Sequence, residues 1–179
     1  MKRSCSSLIA VVAFTVVACG SEGPQPQVSE PARQVSPEEA ANARRTIVEW
    51  FECEECESGE LEAVVKLGQT AVPTLAATLR DGPSPAARET LRMHLVDSYE
   101  QLRKQTGPES KVDMSEEQYV KTYMDNYEAL YRVRAAQALS AIGGADAQRA
   151  LESANDYDLR DDVRAEVTEA LQKMRRVQQ

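Results

Sequence analysis

The feature that most restricts the fold of this chain is a set of helix start and stop signals that recurs from Ser36 onward. Ser36 and Ser115 stand three residues before Glu39 and Gln118. This is the spacing of a capping box, in which the serine and the later side chain each accept a hydrogen bond from the other residue's backbone N–H. Pro37 follows the first serine, and proline is favoured at the first helical position. No run of β-branched residues alternates with a period of two, so the sequence predicts an all-α fold.

The same signals divide this part of the chain into seven predicted helices. Ser84-Pro85 opens one helix, which ends near Gly107-Pro108, and Gly143-Gly144 ends the long helix that follows Ser115. Glycine tolerates the left-handed backbone of a helix C-terminus, whereas proline cannot continue a helix. The predicted helices span about 37–52, 60–67, 71–80, 85–106, 116–142, 145–154 and 159–176.

Parts of these helices are similar to one another. Two helices end alike, as VVKLG at 64–68 and LSAIG at 139–143, and a short Ala-rich helix follows each of them. The spacing from Val64 to Leu95 is 31 residues and that from Leu139 to Leu171 is 32 residues, so a unit repeats. Three segments carry an arginine followed seven residues later by a leucine: Arg88 to Leu95, Arg132 to Leu139 and Arg164 to Leu171.

These segments resemble HEAT-type repeats, especially the short bacterial class with a VRxxAxxALxxIG helix. The matching positions are Tyr131-Arg132, Ala138-Leu139, Ile142-Gly143, Val163-Arg164 and Ala170-Leu171. The resemblance covers residues 59–95 and 130–174, and residues 96–130 depart from it. It implies a short HEAT-like α-solenoid, an array of helical hairpins over residues 37–177, which usually acts as a non-catalytic protein-binding scaffold. A generic bundle of Ala- and Leu-rich helices is the alternative.

The N-terminus has the pattern of an export signal. Lys2 and Arg3 precede an apolar stretch of 11 residues at 8–18, which is too short to span a bilayer because a spanning helix needs about 20 residues. The segment VVACG at 16–20 resembles the lipobox of bacterial lipoproteins, in which a cysteine carries the lipid. The resemblance implies a signal peptide over residues 1–18 and lipid attachment at Cys19. An ordinary secretory peptide with a chance cysteine is the alternative.

Residues 19–36 are predicted to be a tether. The segment 20–36 holds three prolines, two glycines and no apolar period, which is typical of a flexible linker. The two or three acyl chains of a lipoprotein suffice for stable membrane attachment. Gly20 and Ser21 follow Cys19 without an aspartate, which resembles the pattern sorted to the outer membrane in a diderm host. We therefore expect a lipid-anchored protein of the cell envelope, attached to the membrane through its N-terminal lipid.

The charge of the chain restricts the class of partner. The net charge is −8, and removal of residues 1–18 takes away two basic residues and no acid, which leaves −10. Nucleic acid is excluded as a partner, because phosphate binding depends on lysine and arginine. An unidentified envelope protein is the expected partner. An acidic run at Glu49, Glu52, Glu54, Glu55, Glu57, Glu60 and Glu62 is either a solvated helix end or a patch for cations or a basic partner.

Cys53 and Cys56 are the only cysteines left beyond Cys19. An exported protein favours a disulfide between them, because two positions three apart at a helix end can reach the required Cα spacing. Metal binding and redox activity are the alternatives. His94 is the only histidine, and zinc would need two further ligands. No catalytic signature is present, so the sequence predicts no enzymatic activity, no metal and no cofactor.

Four tyrosines recur every fourth residue, at Tyr119, Tyr123, Tyr127 and Tyr131. Each step of four residues turns a helix by about 400°, so the row drifts by about 40° per step and covers a stripe of roughly 120°. The stripe predicts either a packing face against the helix that contains residues 91–102 or a partner-binding surface. Tyrosine suits a binding surface because its ring is apolar and its tip is polar.

Overall fold

The computed structural model of the chain describes residues 36–53, 55–56, 58–106 and 114–177, and the fold begins with the predicted capping box. The Ser36 N–H donates to a Glu39 carboxylate oxygen at 2.9 Å, and the Glu39 N–H donates to the Ser36 hydroxyl at 3.2 Å. Ser115 and Gln118 repeat the arrangement at 3.0 and 3.2 Å. The predicted signal peptide and Cys19 lie outside the described residues.

Seven α-helices and two short 3-10 turns make up the described part of the chain, which contains no strand, so the predicted all-α class is confirmed. The helices are α1 (Pro37–Glu52), α2 (Ser58–Lys66), α3 (Val72–Asp81), α4 (Pro85–Thr106), α5 (Glu116–Ile142), α6 (Gly144–Ser153) and α7 (Asp161–Val177). Gly82 and Gly143 end α3 and α5 with φ angles of 74° and 70°, and the N–H of each donates to the carbonyl four residues earlier. Only glycine adopts this backbone without strain.

The centre of the fold is the C-terminal half of α5, and α5 contacts each of the other six helices. Ala135, Ala136 and Ala138 are completely buried there, and their small side chains let neighbouring helices approach closely. Around them lie the largest fully buried side chains, Ile47, Val64, Leu75, Leu79, Leu139, Leu151 and Val163. Each of these stabilises the fold by about 1.5–3 kcal/mol through the burial of apolar area.

Hydrogen bonds between helices show that α2, α5 and α7 run in the same direction. At the start of α7, Arg160 donates to the Asp125 carbonyl at 3.1 Å, and further along Ser140 donates to the Ala170 carbonyl at 3.2 Å. Gln69, just after α2, donates to the carbonyl of Gly143, just after α5, at 3.1 Å. The short helices α3 and α6 contact one another as well as α5.

The helix α4 does not take the place that the repeat predicts for it. The spacing of the repeat makes the segment from Arg88 to Leu95 the counterpart of α7, which packs on α5. The repeat likewise makes α2 the counterpart of α5, so α4 would be expected to pack on α2. Instead, α4 packs chiefly on α5, and α2 packs on α1 and α5. Only Leu95 and Tyr99 of α4 are buried among the described residues. The reason is that α5 extends beyond the core at its N-terminus, and this extension offers α4 an apolar partner.

Candidate functional site

The disulfide predicted at the end of α1 is present. The sulfur atoms of Cys53 and Cys56 are bonded, and their Cα atoms are 5.4 Å apart, which is within the ordinary range for a disulfide. Both side chains are half-buried against the core. Among the described residues, no group of three His, Cys, Asp or Glu side chains is placed to hold a metal ion.

Arg134 holds the C-terminal end of α1 against α5. Its guanidinium donates to the carbonyls of Trp50, Phe51 and Cys53 at 3.0, 2.6 and 2.9 Å. The Trp50 indole N–H donates back to the Arg134 carbonyl at 3.3 Å, and the guanidinium lies 5.3 Å from the Trp50 ring centroid. The last carbonyls of a helix lack partners within the helix, and a cation there also interacts favourably with the negative end of the helix dipole. Burial lowers the pKa of Arg134.

The inner part of the tyrosine row, Tyr127 and Tyr131, belongs to this contact between the end of α1 and α5. The Tyr131 hydroxyl donates to a Glu52 carboxylate oxygen at 2.7 Å, and the Tyr127 hydroxyl donates to the Tyr131 oxygen at 2.9 Å. The Phe51 and Tyr131 rings have their centroids 4.7 Å apart. Burial, and then the hydrogen bond with Tyr127, raise the pKa of Tyr131, while burial is also the main cause that raises the pKa of Tyr127. Both phenols are therefore neutral donors at neutral pH.

The outer part of the row lies on the hairpin that α4 forms with the N-terminal half of α5. The Tyr119 ring centroid is 5.4 Å from that of Tyr99 on α4 and 4.6 Å from that of Tyr123. The Tyr99 hydroxyl donates to the Met114 carbonyl at 2.8 Å. Tyr123 is 49% exposed. The two interpretations of the row therefore apply to different members: Tyr119 packs against α4, Tyr131 packs against α1, and Tyr123 faces solvent.

Exposed large apolar side chains are concentrated on this hairpin. Of the seven among the described residues, five lie on α4, on α5 or just before α5: Met93, Leu102, Met114, Tyr123 and Leu130. Tyr123 and Leu130 are seven residues apart, so they lie on the same side of α5 about 10 Å apart along its axis. The hairpin therefore exposes more apolar surface than the rest of the described chain.

The arginines of the predicted repeat make structural bonds to backbone carbonyls. Arg88 donates to the Asp81 carbonyl, Arg132 donates to the Arg80 carbonyl at 3.4 Å, and Arg164 donates to the Leu159 carbonyl at 3.0 Å. The first two of these carbonyls belong to the end of α3. The third lies just before α7, so all three arginines tie their own helices to an earlier part of the chain.

Sequence reasoning missed Arg134. Its signal was weak: it stands directly before two alanines, Ala135 and Ala136, which the structure buries completely. An arginine beside a buried face needs a partner for its charge. The sequence could not show that this partner would be a set of carbonyls more than 80 residues earlier in the chain.

The acidic run occupies the junction between α1 and α2. Glu49, Glu52, Glu55 and Glu62 are exposed and Glu60 is half-buried, while Glu54 and Glu57 lie outside the described residues. His94 is exposed on α4. No helix in the described ranges is sufficiently long and apolar to pass through a bilayer.

No model of a protein family matches the chain, and comparisons with curated proteins and with solved structures find no match.

Proposed function

We propose that this protein is a lipoprotein of the cell envelope, anchored through Cys19, whose HEAT-like helical body binds another envelope protein without catalysing a reaction. The observation that carries the binding role is the α4–α5 hairpin. It is attached to the core by α5 and exposes Tyr123, Met93 and Leu130, which are 49%, 54% and 40% accessible. Exposed apolar side chains concentrated on one element are typical of a surface that contacts another protein.

The course of the helices supports a repeat array. Parallel neighbours such as α2, α5 and α7, joined through the mutually contacting α3 and α6, are what stacked helical hairpins produce. In this arrangement α4 and the N-terminal half of α5 are an insertion between two units. Insertions into repeat proteins frequently form the binding face. The outer side of α7 exposes polar residues, Thr168, Glu169, Gln172 and Lys173.

The lipid anchor is tested separately from the binding role. Cells that produce the full chain are labelled with a palmitate analogue, and the Cys19→Ala variant is compared with the parent. The parent is expected to be labelled and to sediment with membranes, whereas the variant should be unlabelled and uncut. Release of the variant as a processed soluble protein would contradict lipidation, and would leave an ordinary secretory signal.

The binding role is tested by crosslinking in the native envelope. A photo-crosslinking amino acid replaces Tyr123 in one variant and Thr168, on the outer side of α7, in a matched control. The proposal predicts a discrete protein adduct from position 123 and none from position 168. Equal adducts from both positions, or none from either, would contradict a binding surface on the hairpin.

A further inference from the structure

We infer that the partner presents a cationic amphipathic helix, which lies along the outer side of α5 with its basic residues toward the α1–α2 junction. This inference rests on the proposed binding function and specifies the class of partner. It joins two features that occupy opposite ends of one row of side chains: the exposed aromatic surface of the hairpin and the acidic end of α1.

The apolar half of the surface is formed by Tyr119, Tyr123 and Leu130. Tyr119 is half-buried between the rings of Tyr99 and Tyr123, so the aromatic surface is held in place from beneath. Tyr123 and Leu130 are 49% and 40% exposed. Residues spaced by seven present a straight apolar strip, and a strip of this kind suits the apolar face of a helix.

The acidic half is brought to the end of this strip by the hydrogen bonds of the inner tyrosines. Tyr131 donates to Glu52 at 2.7 Å, and the Tyr127 hydroxyl lies 3.4 Å from the same carboxylate oxygen. The end of α1 therefore adjoins the tyrosine row. Between Arg45 and Lys66 the chain has seven glutamates and no basic residue. Arg134 lies beside this junction, and its guanidinium is engaged by three backbone carbonyls.

Charge complementarity selects a basic partner. Glu49, Glu55 and Glu62 are exposed. The whole chain has a net charge of −8, and removal of residues 1–18 takes away two basic residues and no acid, so the remainder carries −10. An acidic helix would be repelled by this junction. Exposed ion pairs contribute little affinity each, so the aromatic strip should supply most of the binding energy and the glutamates the orientation and the salt dependence.

The probe is a pair of designed helical peptides that share one leucine face and carry either lysine or glutamate on the other face. Their dissociation constants are measured against the full-length protein in detergent. The lysine peptide should bind at least about tenfold more tightly than the glutamate peptide, and its affinity should fall several-fold as salt rises from about 50 to 300 mM. Equal affinity for both peptides would overturn the inference.

Two matched pairs of variants locate the contact. Tyr123→Ala should weaken binding of the lysine peptide about tenfold or more, while Val177→Ala should change it by no more than about twofold. Val177 is 84% exposed, but it lies at the end of α7, outside the hairpin. A triple variant that changes Glu49, Glu55 and Glu62 to Gln should also weaken binding of the lysine peptide. The control changes three other exposed acids, Glu152, Asp156 and Glu169, to their amides, and should have little effect.

The outcomes separate this inference from the function on which it rests. Equal losses of affinity for the lysine peptide in the two triple variants would show non-specific attraction to an acidic protein and would overturn the inference. A position-123 crosslink in the envelope without lysine-peptide binding would also overturn it, but would leave the binding role intact. If neither the position-123 crosslink nor binding of the lysine peptide is observed, the proposed function is contradicted as well. Circular dichroism of each variant confirms that the helices are retained.

Discussion

Replacement of Arg134 by methionine tests whether one guanidinium holds α1 to the rest of the fold. The substitution keeps a long side chain and removes hydrogen bonds to the carbonyls of Trp50, Phe51 and Cys53, at 3.0, 2.6 and 2.9 Å. A hydrogen bond to a charged group contributes about 1.5–3 kcal/mol. Since freed carbonyls at a helix end regain water, we take the net loss as about 3 kcal/mol. Loss of the stacking on Trp50 adds about 0.5–1 kcal/mol.

The expected loss of about 3–4 kcal/mol is a large part of the 5–15 kcal/mol that stabilises a typical domain. It corresponds to a fall in melting temperature of about 10 °C for a chain of this size. Trp50 is the only tryptophan and lies in the junction, so its fluorescence during urea unfolding reports both the global transition and any earlier release of α1.

Two further variants make the test specific. Arg134→Lys keeps the charge but lacks the planar fork that reaches three carbonyls, so it should recover less than half of the lost stability. Arg176→Met removes an exposed arginine from the last turn of α7 and should change stability by less than about 0.5 kcal/mol. An Arg134→Met variant within about 1 kcal/mol of the parent, or a fully stable Arg134→Lys variant, would refute the reasoning.

Three other predictions use the same unfolding assay. Reduction of the Cys53–Cys56 disulfide should cost roughly 2 kcal/mol, because the closed loop is very short, and the double serine variant should not respond to reductant. Tyr131→Phe should cost about 1–2 kcal/mol through the lost hydrogen bond to the carboxylate at the end of α1; an unchanged midpoint would show that this bond is not needed. The hydrogen bond from Arg160 lowers the pKa of Asp162 below its ordinary 3.8. Its contribution, at most about 1 kcal/mol for this exposed pair, is present above that value and is lost as the pH falls through the lowered pKa. Asp162→Asn should therefore narrow the difference in stability between pH 7 and strong acid, and an unaltered difference would contradict the assignment.

The helices were predictable because their ends are determined locally. Ser36 and Ser115 cap helices through side chains three residues away, and Gly143 ends one through its own backbone, so each signal lies within one helical turn. The predicted boundaries differ from the observed ones by two residues or fewer. The Cys53–Cys56 bond was predictable for the same reason, because the helix end fixes the distance between the two residues.

The candidate site was only partly predictable. The sequence identified the tyrosine row, but could not show that Tyr131 is buried against α1 while Tyr123 is 49% exposed. Residues four apart share a side of a helix, yet their neighbours come from other helices. The same limit applies to α4. Its sequence fits the repeat, but the extension of α5 offers it a competing apolar partner, and packing decides between the two.

The sequence alone therefore determines the all-α class, the ends of the helices and the disulfide, since each depends on interactions within a few residues. It also supports the expectation of a lipid on Cys19. The tertiary structure alone decides that Arg134 closes the end of α1, that the tyrosine row has a buried and an exposed part, and that α4 packs on α5. These features join residues 20 to 84 positions apart, and their energies depend on which helices compete for the same apolar surface.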